Sequence, residues 1–376
     1  MRWTLALDIG PMKVNHASVA VGNKIYTFGG IRTGEFSEQY SMDISVMDTE
    51  TLRWTRHPVS DLPYFENNIF PYNRYRHTAI VYGDKVYIWG GRNNQASCSK
   101  LFCFDTNLHC WTTPKTTGNH PRPRDGHSAS LWKNHMIIFG GFEEEFNNFT
   151  GSIYSLDLER MHWSCMQING PQPNLRDYHT TVVIDDKIYM FGGRKVEMQS
   201  PVFIGRLRLV YCNTVWCLDP QASTSLCWQE CKVTGDKPIG RRSHSSFVYN
   251  NKMYIFGGYN CTRGRHYNDM HEFDPKTMVW RELHFEGEIP GERKEQTCVV
   301  VGDRLFLFGG SGPEVAGVYD FREQLMDNTF VDYGDTFVLD FKPSLKTLCI
   351  LAVKRYKLDV SILPENIREL HENVLI

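Results

Sequence analysis

The 376-residue sequence lacks an excess of charge of either sign: Lys and Arg total 41 against 43 Asp and Glu, for a formal net charge of −2. That balance excludes bulk electrostatic capture of nucleic acid or of an anionic membrane, and no direct nucleic-acid partner is expected. No apolar run reaches the length of a membrane span, and Met1 to Asp8 lacks the apolar core of a signal peptide. A run of Lys and Arg suited to nuclear import is also missing. The expectation is a soluble intracellular protein of cytoplasm and nucleus, entering the nucleus with a partner.

Cysteine is present but without a framework. The 11 cysteines are odd in number and form no C-x-x-C pair, which points to free thiols in a reducing compartment. Cys212, Cys217, Cys227 and Cys231 match no zinc-ligand spacing and alternate like buried strand residues, so no metal site is expected. Nothing pairs a nucleophile with a base, and no carboxylate pair stands apart from the repeats. Neither catalysis nor a cofactor is expected. What the chain does have is core: 41% hydrophobic and 13% aromatic residues exclude a disordered scaffold.

A repeat dominates the rest. Double glycines recur at Gly29-Gly30, Gly90-Gly91, Gly140-Gly141, Gly192-Gly193, Gly257-Gly258 and Gly309-Gly310. Thirteen residues before each first glycine stands His16, His77, His127, His179, His244 or, in the last case, Gln296. Between them an apolar run, a turn pair (Gly22-Asn23, Gly83-Asp84, Lys133-Asn134, Asp185-Asp186, Asn250-Asn251, Gly302-Asp303) and an alternating strand predict a β-hairpin. A third strand ends in Asp48, Asp105, Asp157, Asp219, Asp274 or Asp340, and a fourth starts near Trp54, Trp111, Trp163, Trp228 or Trp280. Four antiparallel strands in each unit of about fifty residues describe a propeller blade.

These marks, with Arg74, Arg124, Arg176, Arg241 and Arg293 upstream of the histidines and Lys13 in the first unit, resemble the kelch family. The sixth unit has no tryptophan after Asp340, but Met1-Arg2-Trp3-Thr4-Leu5 reads like the fourth strand of another blade. The expected fold is all-β: a six-bladed kelch propeller over residues 1–341, closed by the N-terminal strand so that no edge is left open. A short helical tail over 342–376 follows.

In that tail Leu345, Leu348, Cys349, Ala352, Val353 and Tyr356 fall at helical spacing after Pro343-Ser344, and a second short helix is predicted from Pro364 through Leu370. A plain reading is a cap packed on the propeller. Ser344-Leu345-x-x-x-Cys349-x-x-x-Val353 also resembles the box by which substrate receptors of cullin-2 ubiquitin ligases engage elongin C, and Leu363-Pro364-x-x-Ile367 resembles the cullin-2 box that follows it. The resemblance implies elongin C, elongin B, cullin-2 and, through the cullin, a RING subunit as partners. It also implies recognition of substrate C-termini, typically ending in glycine. The competing reading is a scaffold for chromatin or cytoskeletal partners, which would not need the two boxes.

Two strands separate the residues after each double glycine from those before each histidine, so both sets share one face of the ring. That face carries Arg92, Arg194, Lys195, Arg242, Ser243, Tyr75 and Tyr178, with the acids Asp125, Asp177 and Glu143 to Glu145. Related receptors hold the terminal carboxylate with an arginine after the fourth glycine pair, which Arg194 matches, and a serine before the fifth histidine. Arg242 stands at that serine's place, with Ser243 one residue later. A guanidinium fork suits a carboxylate. Asp125 or Asp177 would favour a basic residue beside a terminal glycine, unless both are structural partners of neighbouring blades.

Overall fold

A computed structural model describes the chain apart from residues 7–8, 35–40, 58–70, 199–206, 222–225, 315–329, 358, 362, 366–367, 369–373 and 376. Each repeat folds as one twisted antiparallel sheet. Blade one comprises Ala17–Val21, Lys24–Phe28, Ile44–Asp48 and Arg53–His57 in that order. Thr78–Tyr82, Ser128–Trp132, Asp177–Ile184 and Ser245–Tyr249 open blades two to five. Blade six takes Thr297–Val301, Arg304–Phe308 and Thr336–Asp340 from the last repeat and Arg2–Ala6 from the N-terminus. The closing register is antiparallel, Trp3 opposite Leu339 and Ala6 opposite Thr336. Six blades with the N-terminal strand in the last one is the expected architecture.

The hairpin turns form because their first central residue accepts a left-handed backbone, with φ of 60° at Gly22, 54° at Lys133 and 48° at Asn250. The aspartates that end the third strands cap the next turn: Asp48 Oδ1 accepts from the N–H groups of Glu50 and Thr51 at 2.9 Å, and Asp105 and Asp157 repeat the pattern. Blade four departs from expectation. Its second strand, Lys187–Met198, does not stop at the glycines but continues above the ring and pairs there with Leu207–Tyr211.

The core lies between the blades. Phe28 of blade one meets Phe104 and Trp111 of blade two, and Trp3 meets Phe256 of blade five and Phe337 of its own blade. The buried repeat arginines bind backbone: Nη1 of Arg176 donates to Gly192 O at 3.1 Å, and that of Arg241 to Gly257 O at 3.0 Å. Their own carbonyls accept from the second glycine of the preceding blade. A Cβ on Gly90 would stand 2.5 Å from His127 Cε1 of the next blade, so the glycines are needed where blades converge. All eleven cysteines are free thiols.

The turns between first and second strands and between third and fourth strands lie on one face; the loops after the glycines and before the histidines lie on the other. After Asp340 the chain leaves on the turn face. Phe341 stacks on Tyr249 at 4.0 Å, and the helix Leu345–Tyr356 follows. Ser344 caps it, its Oγ accepting from Thr347 N at 3.1 Å. The helix docks through Ile350, 5% exposed, over a cavity of about 410 Å³ lined by Met1, Leu52, Val338 and Thr347 among others. At the far end Val374–Leu375 pairs antiparallel with Leu5 and Ala6 on blade six.

Candidate functional site

On the loop face the backbone repeats and the side chains do not. In all six blades the residue before the histidine, or before Gln296, adopts the left-handed region, with φ of 55° at Asn15, 60° at Arg76, 63° at Gly126, 52° at Tyr178, 54° at Ser243 and 63° at Glu295. Each donates its N–H to the carbonyl of its counterpart in the preceding blade, from Arg76 N to Asn15 O at 2.9 Å round to Asn15 N to Glu295 O at 3.2 Å. Six hydrogen bonds thus close a ring around the axis and cross the seam between blades six and one. The ring borders a cavity of about 210 Å³, lined also by His16, His77, His127, His179 and His244.

One residue further out, a second set forms backbone bridges: Tyr75 with Arg92, Asp125 with Phe142, Arg242 with Tyr259 and Lys294 with Ser311. Asp177 pairs with Arg194 in the same way within blade four. The bridges bring the expected Arg92, Arg194, Arg242, Ser243, Tyr75, Tyr178, Asp125 and Asp177 together on one face.

Their electrostatics are less interchangeable than the sequence suggests. Arg194 grips Asp177 with a fork, Nε to Oδ1 at 2.9 Å and Nη2 to Oδ2 at 3.1 Å, while its guanidinium lies over the rings of Tyr178 and Phe149. Two parallel bonds to a nearly inaccessible carboxylate are the geometry of a structural ion pair. Arg92 donates to Glu144 at 2.9 Å, and Glu144 also accepts from Ser97. Glu143 pairs at 2.6 Å with the repeat arginine Arg124, and Lys195 pairs with Glu197 at 2.5 Å. Arg242 packs over Tyr178 and Tyr259.

Asp125 is 2% exposed, and its nearest cation is Arg76 of the preceding blade at 3.6 Å. Burial pushes its carboxyl up, against the pull of Arg76, Arg92 and Arg194. For Glu295 the balance runs the other way: burial opposes its charge, but Lys294, Arg76 and Arg242 outweigh it and hold the carboxyl below its ordinary value. Burial also works against Arg76, yet Tyr178, Asp125, Glu295 and Tyr75 keep it charged and raise its pKa.

Sequence reasoning missed Arg76, Glu295, Lys294 and Tyr259. The signal was available, because the offsets that single out Tyr178, Ser243 and Arg242 also land on Arg76, Glu295 and Lys294. Asp177 serves its own blade through Arg194, whereas Asp125 reaches across to blade two. Among the described residues no group of three His, Cys, Asp or Glu converges as a metal site, and no helix is long and apolar enough to cross a membrane.

In the tail, Leu345 is 77% exposed, Leu348, Cys349 and Tyr356 are also exposed, and Val353 is half-buried. The helix therefore docks by a side the sequence pattern did not mark, through Ile350, and leaves much of its marked stripe to solvent. Leu363 is half-buried and Pro364 exposed, with Arg368 N donating to Pro364 O at 3.0 Å; Ile367 lies outside the described residues.

Residues 76–310 match the family described as the KLHDC2/KLHL20/DRC7 Kelch-repeats domain, and residues 14–61 match the Kelch motif. With the six blades and the inter-blade histidines, this establishes that the chain belongs to the kelch-repeat family of β-propellers. Kelch domain-containing protein 3 of Homo sapiens and that of Bos taurus are each 40% identical to it over 372 residues, 98% of this chain and 94% of theirs. The chain is thus a homologue of kelch domain-containing protein 3. Host cell factor homolog hcf-1 of Caenorhabditis elegans is 28% identical over 257 residues, 65% of this chain and 32% of that protein.

Proposed function

We propose that this chain is the non-catalytic substrate-recognition subunit of a cullin-2–elongin B/C RING ubiquitin ligase, acting in cytoplasm and nucleus. The loop face binds substrate C-termini, ending in glycine and favoured by a preceding basic residue, and the tail recruits the ligase for ubiquitination and degradation of the substrate. The observation that carries this reading is the Ser344-capped helix on the face opposite the charged ring, with Leu345, Leu348 and Cys349 turned to solvent. Exposed apolar side chains on one stripe of a docked helix suit a helix-in-groove partner, with elongin C at Leu345, Cys349 and Val353 and cullin-2 at Leu363, Pro364 and Ile367.

The alternative is a kelch scaffold for chromatin or cytoskeletal partners whose tail is a cap. The burial of Ile350 and the pairing of Val374–Leu375 with the N-terminal strand favour it. Side-by-side capture of elongin B, elongin C and cullin-2 by wild type and by Leu345→Ala/Cys349→Ala separates the two. The receptor reading expects wild-type capture, lost in the variant at unchanged melting temperature. No capture by wild type makes the tail a cap.

A further inference from the structure

The cavity under the tail helix is used by neither reading of the tail. It holds about 410 Å³, a size suited to a small molecule, and lies where blade six meets blade one. At about 30 Å³ each, the share of a water molecule in the liquid, that is room for about a dozen non-hydrogen atoms. Leu52 of blade one and Val338 of blade six, which pack in one core cluster, line its propeller side. Pro343, Leu348 and Ile350 line the side of the helix.

The polar end of the cavity is one row across three strands of blade six. Asp340 pairs with Arg304 on one side, and on the other it stands one residue beyond the Trp3–Leu339 pair, beside Arg2. Residues opposite one another in a sheet share a face, with Cβ atoms about 5 Å apart. Arg2, Asp340 and Arg304 therefore lie side by side, and all three line the cavity. The arginines are incompletely met. Nε of Arg2 is buried without a partner. Arg304 lies over the Phe306 ring at 5.3 Å, and among the described residues no carboxylate is within 4.0 Å of it. Burial lowers its pKa, and Asp340, Glu50 and Asp48 offset this only in part. Asp340 also accepts from Lys342 N at 3.0 Å. One acid between two arginines leaves the row short of one negative charge; Glu286, opposite Arg2 on the outer strand, is exposed and screened by solvent.

A ligand that suits both ends of this cavity carries a single negative charge on an apolar body. A carboxylate fits better than a phosphate, because its two oxygens match a guanidinium fork and a second charge would face Asp340. We propose that the cavity beneath the tail helix binds a medium-chain fatty acid or a similar amphipathic carboxylate, with its head on Arg2 and Arg304 and its chain between Leu52, Val338, Leu348 and Ile350. The site serves a cap and an adaptor helix alike. Because the helix is one wall, an occupant ties Leu345–Tyr356 to the propeller.

The test uses the full chain and sodium decanoate below its micelle concentration, with decanol, decyl phosphate and decyltrimethylammonium as comparisons, by isothermal titration calorimetry. Decanoate is expected to bind about tenfold or more tighter than decanol, because a charge-assisted pair is lost in the alcohol. It is also expected to slow amide exchange across Leu345–Tyr356. Arg2→Gln and Arg304→Gln are each expected to bring decanoate towards the affinity of decanol, and Arg304→Lys to keep part of the difference. Leu348→Trp fills the cavity with both arginines in place and is expected to weaken decanoate and decanol together; it decides the matter if either arginine variant melts early. Equal binding of decanoate and decanol overturns the charged seat. Tighter binding of decyl phosphate or decyltrimethylammonium overturns the carboxylate. No binding by wild type, or decanoate affinity unchanged in Leu348→Trp or in both glutamine variants, overturns the site.

Discussion

Each repeat histidine is a wedge between two blades, and its imidazole must stay neutral to serve. Ser128 Oγ lies 2.8 Å from His179 Nε2, and Thr180 Oγ1 lies 2.8 Å from His244 Nε2, so in these two, as in His127 with Thr78, a hydroxyl of the preceding blade holds one ring nitrogen. The glycines they press on have no room for a methyl group. Gly90→Ala sets a Cβ against His127 at a φ of 69°, whereas Gly22→Ala, at a φ of 60°, meets nothing within 4 Å. Denaturant unfolding is expected to show a loss of about 3 kcal/mol for Gly90→Ala and about 1 kcal/mol for Gly22→Ala. Equal losses would mean that backbone conformation, not inter-blade crowding, selects the glycine. The double glycines and their thirteen-residue offset were fully legible in the sequence, because every blade makes the same local demand.

At the scale of elements, the tail helix separates what periodicity reveals from what it hides. Spacing marked Leu345, Leu348, Cys349 and Tyr356 as one stripe, and the helix forms at that place with Ser344 as its cap. Which side docks was not legible, since Ile350 is buried only because blade six offers a surface there. Ile350→Ala is expected to cost about 2 kcal/mol of local stability and to raise amide exchange across Leu345–Tyr356. Leu345→Ala is expected to stay within about 0.5 kcal/mol of wild type. Matching exchange in the two variants would show that the helix is not anchored through Ile350. Blade four gives the opposite lesson: its second strand runs on through the double glycine to pair with Leu207–Tyr211, whereas in blades three, five and six the strand stops at the glycines and a separate short strand pairs beyond them.

For the whole molecule, six buried histidines among the described residues, the five of the repeats and His266, resist protonation in the fold and make stability depend on pH. Burial is the main cause that takes His16, His127 and His244 down to about 3, and His77 and His179 are also well below the ordinary value. Between about pH 3 and 6.5 the unfolded chain binds these protons and the folded chain does not, so stability is fully present above about pH 6.5 and falls as the solution is acidified. Each such histidine contributes a slope of about 1.4 kcal/mol per pH unit within that window. Blade six already uses Gln296, whose Nε2 donates to Phe256 O at 2.9 Å. His127→Gln is therefore expected to fold and to flatten the acid limb by about one proton, read from denaturant midpoints between pH 4 and 6. An unchanged slope would mean that His127 is protonated in the folded state.

The amino-acid sequence by itself determined the blades, their number, the strand that closes them and the face on which the charged loops gather. Those features are set by turn residues, glycines and alternation within each repeat, and are written again in every blade. Only the tertiary structure decided which charges remain for a ligand. Asp177 and Arg194 are joined within one blade, Arg76 and Asp125 across two, and the ring of hydrogen bonds across all six. Such pairings depend on how blades sit against one another, over separations for which no local pattern exists, so Arg194 and Arg76 look alike in sequence and are unlike in the fold.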